Sequence, residues 1–495
     1  MARAMGRGVS VRATAVITAA LLTAMVGCTT PPVPLAHFPT ADTSVVTPGD
    51  AEVAGPLHMR GADLVDATGR VVLIHGVNSV DKSAPYISPL VDGWLGPADF
   101  DYFRRSGFNG VRLGIWPAQL MPSPGVIDHD YLESVAAVVE QIRLHHMWVM
   151  LDFHQDVFTG MPQWATTPDA AALSSDAPAY LSFLGWSASY FSPRSVRQWD
   201  DFWSNAEVGP GRGVVDAYGD GIAAVAARFR DATNVVGIEL INEPSPGSNF
   251  LSCVFDGCAG HSIQFAARMG ALTDRVRAVA PEMAVWWYPI ETQFGVEPMV
   301  PAPSVTSTSN GARVGVSFHP YCYQTDGGEP VAPPSEAIAL CNAQFSNLFA
   351  NALDLRRRFG GAAMITEFGA SNNPLNAALT TAMADDHLLS WLHWHYPGAH
   401  PEVVETQLVR TFAQATAGSP VSQHYDTETG DFTFVYTTDH AISAPTTISV
   451  PPRAYPAGYH VTVTGGSVTS APDEGRLTVV ADAGAATVSV HVTRV

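Results

Sequence analysis

The stretch VVGIELINEP, Val235 to Pro244, constrains the fold more than any other part of the chain. Its first eight residues are mostly apolar and are broken by a single Glu, which predicts a strand of a parallel sheet that is buried on both faces. Pro244 can neither donate to a sheet ladder nor continue the strand, so the chain must leave the sheet there. Asn242 and Glu243 are therefore expected at the carboxyl end of a buried strand.

A second carboxylic acid occurs in the same setting. AAMITEFGAS, residues 362–371, is an apolar stretch that ends at Thr366 and Glu367. Either glutamate alone is more often a helix N-cap or a salt-bridge partner. Two of them, each after an apolar run and several βα units apart, predict paired carboxyl groups across the mouth of a barrel. A retaining glycosidase needs this arrangement.

Strand and helix patterns alternate from residue 57 to 404, which predicts an α/β fold, a (β/α)8 TIM barrel, rather than a doubly wound sheet. No Gly-rich phosphate loop opens any helix, so nucleotide chemistry has no support. A hairpin from Met59, with its turn at residues 67–69, precedes the first strand. The eight predicted strands are Val71–Ser79, Phe108–Ile115, Met147–Phe158, Val235–Asn242, Ala284–Glu291, Arg313–Tyr321, Ala363–Glu367 and Leu388–Tyr396.

The pattern changes after about residue 405, where short alternating strands are separated by turn residues. This is typical of an antiparallel β-sandwich, which is predicted for residues 405–495. Such a domain would either bind sugar or lipid, or simply pack on the barrel and stabilise it.

The N-terminus predicts export. Arg3, Arg7 and Arg12 precede a short apolar segment that ends at Gly27-Cys28, so residues 1–28 are expected to be a signal peptide. Gly27-Cys28 resembles a bacterial lipoprotein processing site with Cys28 as the lipidated residue, although ordinary cleavage nearby is the alternative. Residues 29–56 have no regular period and are expected to be a tether. The protein is therefore expected to be secreted or on the cell surface.

Charge and cysteine content limit the kinds of ligand and partner that are expected. The formal charge is −20, from 26 basic and 46 acidic residues, which argues against a nucleic-acid surface. In an oxidising compartment Cys253 and Cys258 would close a small loop, and Cys322 and Cys341 a larger one, although sequence does not prove this pairing. A metal site is the competing hypothesis, but the spacing of a zinc ribbon is absent from the sequence. No metal and no organic cofactor are expected.

The chain resembles glycoside hydrolase family 5, and within it the endoglycoceramidases. The family motif is matched at Arg112, Asn242-Glu243-Pro244, His319, Tyr321 and Glu367. The narrower resemblance is carried by residues 81–85 (DKSAP), 154–156 (HQD), 163–166 (QWAT) and 203–205 (WSN), and by the entry into the C-terminal domain near residues 408–410.

The resemblance implies a double displacement on a β-glycosidic bond of a glycolipid or oligosaccharide. Glu367 would attack the anomeric carbon, and Glu243 would protonate the leaving oxygen and later deprotonate water. The resemblance also implies the supporting roles. Tyr321 and Arg112 would hold the nucleophile, His319 would support the site, and Asn242 would bind the sugar 2-hydroxyl. The remaining hydroxyls would be bound by Lys82, His154 and Asp156, and Trp394, or failing it Trp391, would stack on the sugar face.

Aromatic residues crowd the insertion after the third strand, from Trp164 to Trp203. They would either form an apolar groove for a lipid aglycone such as ceramide or pack the insertion internally. Two other enzymes would share both glutamates: a secreted endo-β-glucanase or mannanase, and a β-glucosidase for simple glycolipids. A surface protein that binds glycan or lipid without catalysis is the alternative from another class.

Overall fold

The computed structural model describes residues 55–495 except 256, 290–313, 323–333, 372, 397, 399 and 401. The predicted signal peptide, Cys28 and nearly all of the predicted tether lie outside this range. Within it, every helix is too short or too polar to cross a membrane.

Eight parallel strands close into a barrel, each paired with the next and the last with the first. Their residues are buried throughout, as the apolar runs predicted. The (β/α)8 barrel is therefore confirmed.

The first three strands lie outside the barrel and are β1 (His58–Arg60), β2 (Asp63–Val65) and β3 (Val71–Val72). A small hairpin in the insertion contributes β7 (Glu207–Gly209) and β8 (Arg212–Gly213). The barrel strands are β4 (His75–Ser79), β5 (Gly110–Ile115), β6 (Trp148–Phe153), β9 (Val235–Glu239), β10 (Val285–Trp287), β11 (Val314–Phe318), β12 (Ala363–Ile365) and β13 (Ser390–His393).

The strands are shorter than their apolar runs predicted, mostly at the carboxyl ends. The third and fourth end at Phe153 and Glu239 rather than at Phe158 and Asn242. Backbone pairing continues past Glu239, since the Asn242 N–H donates to the carbonyl of Phe153 at 3.0 Å, but the Asn242 carbonyl accepts from the side chain of Gln155 at 2.6 Å. Side-chain hydrogen bonds thus join the backbone pairing at the mouth.

Helices cover the barrel, and their ends follow local sequence signals. The first begins at Pro97 and ends before Gly107, whose φ of 83° is typical of a glycine that stops a helix. The helix that leads into the fourth barrel strand begins at Val214 and ends at Phe229. The helices are α1 (Pro97–Ser106), α2 (Pro117–Leu120), α3 (His129–Leu144), α4 (Pro168–Ala171), α5 (Pro193–Ser204), α6 (Val214–Phe229), α7 (Phe250–Phe255), α8 (Ala259–Val279), α9 (Pro334–Phe359), α10 (Pro374–His387) and α11 (Glu402–Leu408). Short 3-10 helices cover Gln163–Ala165, Ala179–Phe191 and Gly247–Asn249.

The C-terminal part consists of two antiparallel sheets that share one apolar core, as predicted. Its strands are β14 (Phe412–Thr416), β15 (Gly418–Tyr425), β16 (Phe432–Thr438), β17 (Thr446–Ser449), β18 (Tyr459–Thr464), β19 (Gly466–Val468), β20 (Arg476–Ala481) and β21 (Thr487–Arg494). One sheet has the order β15-β16-β21-β18, and the other has the order β1-β2-β3-β14-β17-β20-β19.

The second of these sheets differs in two details from the fold that the sequence predicted. The N-terminal hairpin was expected within the barrel domain, but β3 pairs with β14, so the hairpin extends the C-terminal sheet. The run Val71–Ser79 was expected to be one strand and is divided between this sheet and the barrel. This sheet therefore packs against the amino ends of the barrel strands, where Val72 and Ala415 share an apolar cluster with Trp148.

Candidate active site

A fully buried arginine organises the carboxyl end of the barrel. The guanidinium of Arg112, on β5, contacts Glu239 at 2.6 and 2.7 Å, Asp152 at 3.0 Å and Glu367 at 3.1 Å. It also donates to the side-chain oxygens of Asn78 and Asn242. The charges of Asp152, Glu239 and Glu367 outweigh burial and raise the pKa of Arg112. From β5, this cation holds side chains from four other barrel strands or their ends in one fixed arrangement.

The two predicted catalytic glutamates face each other beside this cation. One ligand atom each from Glu243, His319 and Glu367 lie within 4.8 Å of one another. Carboxyl groups about 5 Å apart suit retention, whereas inversion needs a wider gap for a water molecule. Tyr321 donates its hydroxyl to Glu367 Oε1 at 2.7 Å, and His319 Nδ1 lies 2.6 Å from Glu243 Oε1.

The backbone at Glu243 is strained. Its φ is 38°, in the left-handed region that side chains other than glycine seldom adopt. Gln155 Nε2 donates to the carbonyls of both Asn242 and Glu243, at 2.6 and 3.1 Å. The side chain of Gln155 therefore holds the turn that directs Glu243 into the mouth.

Their neighbours separate the pKa values of the two buried glutamates. Burial and then the charge of Glu367 raise the pKa of Glu243 well above its usual range. Burial also raises the pKa of Glu367, but Arg112, His154 and the Tyr321 hydroxyl oppose it. Glu243 is thus suited to carry a proton, and Glu367 to stay ionised.

A second cluster lines the same mouth. Lys82 Nζ lies 2.5 Å from Asp156 Oδ2 and 4.6 Å from the centre of a Trp394 ring. His154 stacks on Trp394 at 5.3 Å and hydrogen-bonds Asp152 through Nδ1 at 2.7 Å. Burial lowers the pKa of His154, but the charges of Asp152 and Asp156 exceed this effect and raise it. The structure therefore brings together all four predicted sugar contacts of this cluster.

Trp394 and Trp391 were the two candidates for stacking on the sugar face, and the structure places them in different environments. Trp394 lies in the mouth beside Lys82. Trp391 is fully buried in the barrel core and packs edge to face against Phe368 at 5.7 Å. Trp394 is thus the tryptophan that is placed to meet a ligand.

Both predicted cysteine pairs are confirmed as disulfides, Cys253–Cys258 and Cys322–Cys341. The second ties the backbone directly after Tyr321 to α9. It therefore anchors the segment that presents Tyr321 to Glu367.

Sequence reasoning assigned no role to several residues of the site. Glu239 and Asp152 ion-pair with Arg112, and Thr366 Oγ1 lies 3.0 Å from His319 Nε2. Their signal was present, since Glu239 and Asp152 are charged residues inside otherwise apolar strands. Tyr190, from the insertion, is buried near the mouth, where burial and then the charges of Glu243 and Asp156 raise its pKa.

The aromatic residues of the insertion whose side chains the structure describes divide between the two predicted alternatives. Trp199, Phe202 and Trp203 are buried in the core and pack against one another, so their role is internal. Trp164 is partly buried and donates to the carbonyl of Met121. Tyr190 is the aromatic residue of the insertion that we place beside the charged groups, and the side chain of Trp186 lies outside the described residues.

Glu243, His319 and Glu367 also form the one group with metal-ligand spacing in the described part of the chain. The Arg112 guanidinium lies against Glu367, and this positive charge opposes the binding of a cation. The donor set instead suits a proton held on Glu243 beside an ionised Glu367.

A TIM barrel with paired carboxyl groups at this spacing defines a retaining O-glycosyl hydrolase. The family model described as cellulase (glycosyl hydrolase family 5) matches residues 65–399, and that of the glycoside hydrolase family 5 C-terminal domain matches residues 410–493. The chain belongs to glycoside hydrolase family 5.

Relatives within the family are endoglycoceramidases. Endoglycoceramidase I of Rhodococcus hoagii (strain 103S) is 38% identical over 450 residues, which are 88% of this chain and 88% of the relative. Endo-glycoceramidase II from Rhodococcus sp., solved as a ganglioside GM3 complex, is 25% identical with a TM-score of 0.74 and covers 88% of this chain and all of that one. The same enzyme solved as a lactosyl-enzyme intermediate has a TM-score of 0.71 over the same coverage, at 25% identity.

Proposed function

We propose that this protein is an endoglycoceramidase that cleaves the β-glycosidic bond between a glycan and its ceramide-type lipid, at a membrane surface. The observation that carries the proposal is that carboxylate oxygens of Glu243 and Glu367 lie within 4.8 Å of each other. The chain that holds them is similar to an endoglycoceramidase over 88% of its length. The reaction proceeds by double displacement.

In the first step Glu367 attacks the anomeric carbon and Glu243 protonates the leaving lipid oxygen. The hydroxyl of Tyr321 and the guanidinium of Arg112 each hold one oxygen of Glu367, which fixes its orientation and stabilises its charge before attack. In the second step Glu243, now ionised, takes a proton from water, which releases the glycan from Glu367. The anomeric configuration is retained.

The sugar next to the cleaved bond is held by the groups that line the mouth. Asn242 Oδ1 accepts from Arg112, and one of its amide N–H groups donates to the Gln155 carbonyl, so its second N–H remains to bind the 2-hydroxyl. Lys82 and Asp156 hydrogen-bond other hydroxyls, and Trp394 packs against the ring face. Hydrogen bonds of this kind strengthen as positive charge develops on the sugar.

An apolar face beside the mouth supports the lipid surface as the working environment. Leu251 and Phe255, one turn apart on α7, are 58% and 52% exposed, and Ile263 on α8 is 67% exposed. The Cys253–Cys258 disulfide fixes α7 to the start of α8. Both helices follow the carboxyl end of β9, on the side of the barrel where Glu243 lies. We call these three side chains the apolar rim, and we propose that it inserts among lipid headgroups.

Export completes the proposal. The basic and apolar N-terminal segment, with Gly27-Cys28 at its end, supports secretion or attachment to the cell surface through lipidated Cys28. A lipid anchor would hold the barrel near a membrane without any spanning helix.

The test is product analysis by mass spectrometry after incubation with glycosphingolipids in phosphatidylcholine vesicles. We expect two products, the intact glycan and ceramide. Stepwise loss of single hexoses would support a β-glucosidase instead, and a preference for soluble cello- or manno-oligosaccharides would support a glucanase or mannanase.

The apolar rim has its own test. Leu251→Ser combined with Phe255→Ser should lower turnover of vesicle-bound substrate while leaving turnover of a soluble aryl β-glycoside unchanged, because both residues are exposed. Val468→Ser, at another exposed apolar residue on the C-terminal sheet, is the matched control. Equal turnover of vesicles by the rim variant and the control would reject membrane docking at this face.

A further inference from the structure

We propose that Glu239 and Thr366 are positioning residues that fix the tautomer of His319 and so keep the acid proton on Glu243 in the free enzyme. The inference deepens the proposed function, because it rests on Glu243 being the acid of that reaction. It assigns a role to two buried residues whose contacts do not reach the sugar directly.

A continuous chain of hydrogen bonds carries the proposal. Thr366 Oγ1 lies 3.2 Å from Glu239 Oε1 and 3.0 Å from His319 Nε2. His319 Nδ1 lies 2.6 Å from Glu243 Oε1. All four side chains are at most 2% exposed, so water does not compete for these contacts.

Chemistry fixes the direction of each bond. Burial raises the pKa of Glu239, but the Arg112 guanidinium opposes this from 2.6 and 2.7 Å at Oε2, and this contact favours the carboxylate, which only accepts. The single hydroxyl proton of Thr366 is therefore directed to Glu239, and Thr366 Oγ1 must accept from His319 Nε2–H.

The tautomer of His319 determines the protonation state of Glu243. Burial, followed by the charge of Arg112, lowers the pKa of His319 well below its usual value, so the imidazole is neutral and has one N–H. With that N–H on Nε2, Nδ1 presents a lone pair to Glu243 Oε1. A contact of 2.6 Å is favourable only when Oε1 bears the proton, because two lone pairs would repel at this distance.

The arrangement suits the first half of the reaction. The O–H bond of Glu243 persists until the leaving lipid oxygen competes for the proton, and it then breaks as the new O–H bond of the alcohol forms. An ionised Glu243 would find no donor at His319 in this tautomer. The chain thus opposes loss of the proton to solvent before substrate binds.

Thr366→Val and Thr366→Ser form the matched pair that tests the chain. Valine removes the hydroxyl, so His319 is free to place its hydrogen on Nδ1 and donate to ionised Glu243. The basic limb of kcat/KM, which reports free-enzyme groups, should then move to lower pH. Serine keeps the hydroxyl and should keep the limb where the unaltered enzyme has it.

Glu239→Gln tests the other end. An amide N–H that is directed at Thr366 would reverse every bond of the chain, so the basic limb should again move to lower pH. The substrate is a phenyl β-glycoside, whose poor leaving group needs the acid. With a dinitrophenyl β-glycoside, which departs without a proton, Thr366→Val should lose less activity than with the phenyl glycoside.

The outcomes separate the possible failures. If the Thr366→Val limb coincides with that of the unaltered enzyme, or if Thr366→Ser moves it equally, the chain does not set the proton. Turnover of the dinitrophenyl glycoside shows that each variant is folded. An unaltered enzyme that hydrolyses neither glycoside would instead reject the proposed function.

Discussion

The two ends of the barrel each bury an arginine, in opposite settings. At the carboxyl end Arg112 meets three carboxylates, Glu239, Asp152 and Glu367. At the amino end Arg410 forms an ion pair with the single carboxylate of Asp385 and lies 5.4 Å from the ring of Tyr425. The first site therefore keeps an excess of acidic groups, whereas the second is balanced.

This difference in charge balance indicates a different function for each end of the barrel. Excess acid beside a single cation pushes proton affinities apart, which acid–base chemistry requires. The balanced pair joins α10 to the C-terminal domain, where Gln423 also donates to Asp385 at 2.7 Å. Around it the amino end is closed by an apolar cluster that includes Ile74, Trp148 and Ala415. One end is built to react and the other to hold two domains together.

The largest effect is expected for Arg112→Met. Three carboxylates would lose their cation, so stability should fall by about 3–5 kcal/mol, and kcat should fall by about 10²–10³-fold. Because Arg112 lowers the pKa of Glu367, its loss should raise that pKa and move the acidic limb of the kcat profile to higher pH. Urea unfolding and a pH–rate profile measure these changes. Unchanged limb and kcat would show that Arg112 only supports the fold.

Arg410→Met is the matched change at the other end. It leaves Asp385 buried without its cation, so stability should fall by about 3–5 kcal/mol. The activity of the folded protein should stay the same, because Arg410 is remote from the mouth. Adding Asp385→Leu should recover part of the lost stability, as measured by urea unfolding. A loss of kcat at temperatures well below unfolding would contradict the division between the two ends.

The smallest effect is expected for His75→Phe. His75 is buried between the rings of Trp391 and Phe412, and neither of its ring nitrogens has a hydrogen-bond partner in the described part of the chain. Burial lowers its pKa well below the usual range. A phenylalanine should fit this stack and stabilise the protein by about 1 kcal/mol, because an unsatisfied polar group is removed. Thermal unfolding that shows a clear loss of stability would indicate a hidden partner.

The two ends also differ in how far sequence predicted them. Periodicity located all eight barrel strands, and the apolar runs ending at Glu243 and Glu367 located the reactive pair, because both features are local in the chain. The division of Val71–Ser79 between two sheets was not predictable, since β3 pairs with a strand that lies more than 300 residues away. The contacts between Thr366, His319 and Glu239 likewise depend on how the barrel closes.

The most direct measurement is to trap the glycosyl-enzyme with a 2-deoxy-2-fluoro β-glycoside that has a dinitrophenyl leaving group, and to map the adduct by peptide mass spectrometry. The account predicts one sugar per protein, on Glu367, and no adduct in Glu367→Gln. A sugar attached to Glu243 or to any other residue, or turnover that gives the inverted anomer without an adduct, would contradict it.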